Sequence, residues 1–195
     1  YLDITNNTIL IFSSDNGPIL DDGYVDGAVS MLNGHTPAGD LRGGKYSAFE
    51  AGNRVPFILS WPQTVKPGVS SALVCQIDFL NSFSKLVNQK IPVGDAMDSE
   101  DVLSAFLGKT QLGRSILVAQ SSSSTLCLVK GDWKYVSPSD REANHRLTGT
   151  ETGNSPAPQL YNLKEDIGEK NNLAEKYPDK IKELKELLEK IKSKK

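Results

Sequence analysis

The chain has 195 residues, of which 38% are hydrophobic and 24% charged, and its formal net charge at pH 7 is −2. These values are ordinary for a globular protein with a packed core. The charges are interspersed without a basic patch, which argues against a nucleic-acid partner, and no apolar run approaches the roughly 18 residues of a membrane span. Cys75 and Cys127 lie far apart and outside any metal-ligand spacing, so we expect free thiols.

The first predicted element is a strand that leads directly into oxygen-bearing side chains. The apolar run Ile9–Phe12 predicts a strand covered on both faces. Asp15 and Asn16 would then lie at its carboxyl end, where open α/β sheets place their ligands. Their oxygens suit a divalent cation such as calcium, which takes about 6–8 of them, so further ligands would come from elsewhere. An ordinary turn ending at Gly17 explains the same residues.

A long polar loop and a glycine-rich block follow this strand. Residues 18–41 are rich in Gly and Asp and contain His35, and long loops of this kind tend to be functional. Two glycines then precede Lys45, and such a backbone can approach a sulfate or phosphate group and direct the lysine at it. Read alone, this pattern is a weak signal for an anion site and is more typical of a solvated surface lysine. His35 and Arg42 are further polar candidates in this region.

The next elements complete the first part of the chain. Residues 57–62 predict a second buried strand, closed by a proline. Asp78 is placed to cap a helix over residues 79–87. A short helix is predicted over residues 102–107. We also expect Arg54 to form a structural ion pair rather than to touch a ligand.

From Ser115 the hydrophobic period changes from that of helices to that of strands. The expected strands span 116–119, 125–129, 133–136 and 159–163, the second and third joined by a tight turn at 130–132 and the last at the sheet edge. Pro178 then begins a final helix with an apolar stripe. We expect that stripe to lie across the small antiparallel sheet.

The opening strand bears on the organisation of the whole protein. A strand buried on both faces needs neighbours on both sides, and the remaining sequence offers few strands of that character. We therefore expect this chain to be the carboxyl-terminal part of a larger protein.

Four blocks of the sequence read TILIFSSDNG, LRGGKYSAFEAGNRVPFILSWP, LVKGDWKYV and LYNLKEDIGEKNNLAEKYP. Taken in this order, they resemble the carboxyl-terminal half of the type I sulfatases, the arylsulfatase and N-acetylgalactosamine-6-sulfatase-like enzymes of the alkaline phosphatase superfamily. The resemblance implies an α/β fold in two parts. Residues 1–112 would form the carboxyl-terminal part of an alkaline-phosphatase-like mixed sheet, and residues 113–195 a small antiparallel subdomain with a carboxyl-terminal helix.

The resemblance also implies roles for single residues. Asp15 and Asn16 would be calcium ligands, and Lys45 would be the catalytic lysine that contacts the sulfate group. His35 and Arg42 lie where such enzymes often contact their substrate. These roles would serve hydrolysis of a sulfated sugar or an aryl sulfate, in a periplasmic, extracellular or lysosomal protein.

One departure from the family pattern limits what this chain can do alone. The family uses a formylglycine made from a Cys or Ser in a C/S-x-P/A-x-R motif, and the sequence contains no such motif. We therefore expect the isolated chain to be inactive and to bind calcium weakly. Two alternatives stay open: a phosphodiesterase or phosphonate hydrolase of the same superfamily, and a noncatalytic binding module.

Overall fold

The computed structural model describes residues 3–193. The elements in chain order are β1 (Leu10–Ser13), α1 (Glu50–Asn53), β2 (Phe57–Ser60), α2 (Phe79–Leu86), α3 (Leu103–Phe106), β3 (Ile116–Gln120), β4 (Leu126–Lys130), β5 (Trp133–Val136), β6 (Gln159–Asn162) and α4 (Pro178–Lys192), with single 3-10 turns at Thr5–Asn7 and Gln76–Asp78.

The chain folds into two compact units, each made of two segments that are separate in the sequence. The first unit contains the residues up to Ser13 and Pro56–Leu117, and the second contains Ser14–Val55 and the residues from Val118 onward. The loop and the glycine-rich block singled out by the sequence therefore belong to the second unit. A domain boundary between residues 112 and 113 stays a prediction.

In the first unit, β1 and β2 form an antiparallel pair in which Phe12 lies opposite Ile58. One face of the pair packs through β2 onto a core around Phe106. The other face is open: Leu10 is 67% exposed, Phe12 63% and Ile58 60%. The strand predictions are confirmed, but burial of β1 on both faces is wrong for the described residues, because helices cover one face only.

Asp78 does not cap α2 as predicted. Its side chain is fully buried and makes no capping hydrogen bond to that helix. The carboxylate instead pairs with Arg114 and accepts the backbone N–H groups of Glu100, at 2.8 Å, and Cys75, at 3.1 Å. The prediction failed because a buried carboxylate takes the strongest donors within reach, and Arg114 is distant in sequence.

In the second unit, four strands form a sheet in the order β3-β4-β5-β6. The predicted hairpin is confirmed: Lys130 pairs with Trp133, and the two-residue turn begins at Gly131, whose φ of +58° suits glycine. β6 lies at the sheet edge, as expected. The helix α4 packs against β5 and buries Leu184 and Leu188, which confirms the predicted role of its apolar stripe.

Two further expectations concern cysteines and membranes. Both cysteines are free thiols, with Cys127 buried and Cys75 half-buried. Burial raises the pKa of the Cys127 thiol, as expected for a side chain that serves packing. Within residues 3–193 no helix is long and apolar enough to cross a membrane.

Candidate functional site

The loop after β1 carries the two proposed cation ligands. Asp15 is exposed and Asn16 is half-buried. The Ser14 hydroxyl donates to the Asn16 carbonyl oxygen at 2.9 Å, and the Asn16 amide nitrogen donates to the Gly17 carbonyl oxygen at 3.1 Å. Since the turn uses the amide nitrogen of Asn16, its amide oxygen is the side-chain atom suited to a cation.

Gly17 sets where this loop lies. Its N–H donates to the Gly52 carbonyl oxygen at 3.1 Å, and a Cβ built on it would lie 1.5 Å from the Ala51 carbonyl oxygen. Only glycine allows the two backbones to approach so closely. The loop that carries Asp15 and Asn16, called the proposed cation loop below, is therefore held directly against α1.

Residues 42–50, which contain Lys45 and are called the lysine segment below, are attached to the same loop. The Lys45 backbone N–H donates to the Pro18 carbonyl oxygen at 2.8 Å, and a Cβ on Gly44 would lie 2.7 Å from that oxygen. The segment after the strand and the glycine-rich block, 29 residues apart at Asn16 and Lys45, thus become neighbours in space. The glycine before Lys45 allows this approach to the Pro18 backbone, and the predicted approach of the glycine-rich backbone to a sulfate or phosphate group stays a prediction.

Tyr46 gives the lysine segment an unusual conformation. Its φ is +83°, a region that side chains other than glycine rarely adopt. Its ring stacks on His145 with 4.1 Å between centroids, and its carbonyl oxygen accepts the Ser122 N–H at 3.2 Å. The ammonium of Lys45 lies 5.6 Å from the centre of the Tyr46 ring. Strained residues held by their surroundings are typical of functional sites.

Arg42 is bound within the protein. Its guanidinium pairs in a bidentate manner with Glu151, at 2.7 and 2.9 Å, donates to the Glu169 carbonyl oxygen at 2.8 Å, and lies 4.0 Å over the Phe49 ring. The guanidinium lowers the pKa of the Glu151 carboxyl. These contacts brace the base of the lysine segment. A contact of Arg42 with substrate stays a prediction.

His35 is exposed and lines an open cleft of about 410 Å³. The cleft lies between parts of residues 18–44 and the turn at residues 148–151. Its volume falls in the range of small-molecule sites, about 300–1,000 Å³. The structure therefore places His35 in a concave surface beside the lysine segment, and its role in substrate binding stays a prediction.

The donor set can be tested against a hard divalent cation. A carboxylate from Asp15 and an amide oxygen from Asn16 match such a cation in kind. They do not match it in number, since no group of three or more His, Cys, Asp or Glu side chains gathers for a metal among residues 3–193. The residues present fit part of a calcium site.

The ion pair of Arg54 follows the sequence prediction. Its guanidinium lies 2.7 Å from the Glu50 carboxylate, one helical turn earlier. Sequence reasoning missed Lys134 and Glu169, which join Glu50 in an ion cluster, and Glu151, which pairs with Arg42. Lys134 and Glu169 lie inside two of the four resembling blocks, but no local pattern shows that they meet.

Comparisons with known proteins show the family to which this chain belongs. Residues 2–89 match the sulfatase family model. N-acetylgalactosamine-6-O-sulfatase of Bacteroides thetaiotaomicron is 52% identical over 98% of this chain and 38% of that protein. Human arylsulfatase G is 28% identical over 85% of this chain and 33% of its own length.

Solved structures give the same picture. One from work on the metabolism of multiple glycosaminoglycans by Bacteroides thetaiotaomicron superposes with a TM-score of 0.95 at 52% identity, covering 98% of this chain and 40% of that one. The PsFucS1 sulfatase from Pseudoalteromonas sp. superposes with a TM-score of 0.73 at 22% identity, covering 97% and 37%, and supports the fold alone.

The fold is thus that of the alkaline-phosphatase-like α/β proteins, as predicted. Within that class the chain belongs to the sulfatase family and corresponds to a carboxyl-terminal part of such a protein. It spans 38% of the length of the 52%-identical relative.

Proposed function

We propose that this chain supplies one half of the active site of a sulfate-ester hydrolase. Asp15 and Asn16 would hold calcium, and Lys45 would contact the sulfate group. The observation that carries the proposal is the hydrogen bond from the Lys45 N–H to the Pro18 carbonyl oxygen. It joins the loop with the oxygen ligands to the loop with the cationic side chain, and sulfate chemistry needs both.

The chemistry assigned to these residues is electrostatic. Negative charge builds up as the S–O bond breaks and its electron pair moves to the leaving oxygen, and the ammonium of Lys45 would stabilise that charge. A bound calcium ion would polarise the ester and neutralise the nonbridging oxygens. The chain has no C/S-x-P/A-x-R motif. The proposal therefore assigns it no nucleophile and expects no hydrolysis by the chain alone.

The names of the relatives support a proposal about the substrate class. The 52%-identical protein is named for a 6-O-sulfated N-acetylgalactosamine. We therefore propose a sulfated carbohydrate as the substrate of the complete protein, with His35 and Arg42 as candidates for sugar contacts. By the same family relation, we expect the complete protein to work in a periplasmic, extracellular or lysosomal compartment.

A chimera tests the proposed role of Lys45. The matching part of the Bacteroides relative is replaced by this chain, and hydrolysis of N-acetylgalactosamine 6-sulfate is measured. We expect an active chimera, and Lys45→Ala should lower its kcat by about 10²–10³-fold, the usual effect of losing one charge-stabilising donor.

The matched control is Lys164→Ala, which removes an exposed lysine of the same unit and should leave kcat unchanged. An active chimera whose kcat survives Lys45→Ala would contradict the assignment of Lys45. A folded chimera that is inactive with Lys45 intact would contradict the broader proposal.

A further inference from the structure

A buried ion cluster lies beneath the lysine segment. Lys134 of β5 is 1% exposed, and its ammonium lies 2.9 Å from one carboxylate oxygen each of Glu50 and Glu169. Arg54 adds a second cation at Glu50. Lys134 and Arg54 therefore face two carboxyl groups, those of Glu50 and Glu169. Burial raises the pKa of the Glu169 carboxyl, although the nearby Lys134 works against this rise. A buried lysine without such partners would be very costly.

Glu169 contacts both ends of the segment that presents Lys45. Its carboxylate accepts the backbone N–H of Glu50 at 2.5 Å, five residues after Lys45. Its carbonyl oxygen accepts the Arg42 guanidinium at 2.8 Å, three residues before Lys45. A single residue from a remote part of the chain thus holds the segment 42–50 at its two ends.

The backbone of Glu169 is itself held in an unusual state. Its φ is +51°, which is uncommon for a residue other than glycine, and its side chain is fully buried. One carboxylate oxygen lies near the Lys134 ammonium but makes no hydrogen bond to the residues that the structure describes. The attraction there is ionic, so Lys134 orients the carboxylate that receives the Glu50 N–H.

The position of the lysine segment is coupled to that of the proposed cation loop through α1. The Ala51 N–H donates to the Arg42 carbonyl oxygen at 2.9 Å and closes the segment at its base. The Gly52 carbonyl oxygen in turn accepts the Gly17 N–H at 3.1 Å. Movement of α1 would therefore shift Lys45 and the loop with Asp15 together.

We propose that Glu169, oriented by Lys134, is a positioning residue that sets the placement of Lys45 for sulfate-ester hydrolysis. This inference rests on the proposed function of Lys45. It explains why the cluster holds charged residues at a site where apolar side chains would pack at lower cost. Burial works to raise the pKa of the Glu50 carboxyl, but Lys134 and Arg54 outweigh it and the net shift is downward, so Glu50 stays ionised.

The first test is kinetic and uses the chimera. Glu169→Gln keeps the size of the side chain and removes its charge, so Lys45 should lose its placement. We expect kcat to fall at least about 10-fold with KM changed less than about twofold, because misplacement by about 1 Å is enough for such losses. Glu165→Gln, an exposed glutamate in the same loop, is the matched control and should change neither value.

A double-mutant cycle separates positioning from general stability. If Glu169 acts mainly through Lys45, then Glu169→Gln should cost much less kcat in the Lys45→Ala background than in the chimera with Lys45 intact. Losses that multiply would mean that Glu169 acts independently of Lys45, and the proposal would fail. A Glu169→Gln chimera with unchanged kcat would also overturn it.

A second variant covers the case in which Glu169→Gln does not fold. Lys134→Met with Glu169→Gln removes one cation and one carboxylate together and leaves Glu50 paired with Arg54. No buried charge is then left without a partner, so folding should survive. The same loss of kcat is expected, and an unchanged kcat counts against the proposal.

Hydrogen exchange on the 195-residue chain distinguishes this inference from the proposed function. In Glu169→Gln, the amides of residues 42–52 and 15–18 should exchange at least about 10-fold faster while those of α4 stay protected. Faster exchange throughout the chain, or no change in exchange in any segment, would overturn the proposal that Glu169 holds the segment 42–50 in place. If exchange becomes faster only in these segments but Lys45→Ala leaves kcat unchanged, then Glu169 does hold the segment 42–50, and it is the proposed role of Lys45 that is wrong.

Discussion

Gly17 occupies a position where a methyl group has no room. A Cβ there would lie 1.5 Å from the Ala51 carbonyl oxygen, so Gly17→Ala must push the cation loop away from α1. We expect this substitution to lower the free energy of unfolding by at least about 2 kcal/mol, as buried steric conflicts do. Urea unfolding of the purified chain measures the change.

Gly68→Ala is the control for this experiment. Nothing lies within 4 Å of a Cβ at Gly68, so the added methyl group meets open space. Its effect should stay within about 1 kcal/mol of zero, and a smaller unfolded-state entropy favours a slight gain. Equal losses in the two variants would show that close approach at Gly17 does not stabilise the loop.

Single residues were predictable where local chemistry decides their role. Arg54 has its partner one helical turn away, and the hairpin glycine at 131 follows from turn preference alone. Asp78, Lys134 and Glu169 were not predictable, because their ion-pair partners lie 35 or more residues away and only the folded chain brings them together. For such residues, side-chain type indicates the need for a partner and not which one is found.

At the scale of elements, α4 shows how an amphipathic pattern becomes packing. Leu184 is fully buried against the small sheet. Leu184→Ala would leave a cavity that the sheet cannot fill, and we expect it to lower the free energy of unfolding by about 2–5 kcal/mol. Thermal or urea unfolding, followed by circular dichroism, measures the loss.

Lys185→Ala is the matched control on the same helix. This lysine is exposed, and alanine is a good helix former, so the change should lie within about 0.5 kcal/mol of zero. If Leu184→Ala proved equally mild, α4 would not be anchored by its buried stripe.

Elements were predicted better than their surroundings. Periodicity located both strands of the first pair and all four strands of the small sheet, since short-range patterns carry that information. Periodicity says nothing about what covers a strand. The apolar run in β1 therefore suggested burial on two faces, whereas Leu10 and Phe12 are exposed in the described residues.

At the scale of the whole molecule, the chain holds part of a proposed calcium site. Asp15 and Asn16 offer two ligand side chains, with at most three oxygens between them, where calcium needs about 6–8. We therefore expect calorimetric titration of the isolated chain to give a dissociation constant for calcium of about 1 mM or weaker. Asp15→Ala should abolish this binding, and Asp140→Ala, which removes another exposed carboxylate, should not.

A single tight calcium site in the isolated chain would contradict this expectation. It would mean that the ligand set is more complete than two side chains, with backbone or other oxygens making up the number. The proposed division of the active site between this chain and the rest of the protein would then need revision.

The open face of the β1–β2 pair also governs how the purified chain behaves in solution. This face is a small exposed apolar patch formed by Leu10, Phe12 and Ile58. Salts that are excluded from protein surfaces strengthen attraction between such surfaces, so ammonium sulfate should bring the chain out of solution early. Buffers without such salts are accordingly the natural choice for concentrating it.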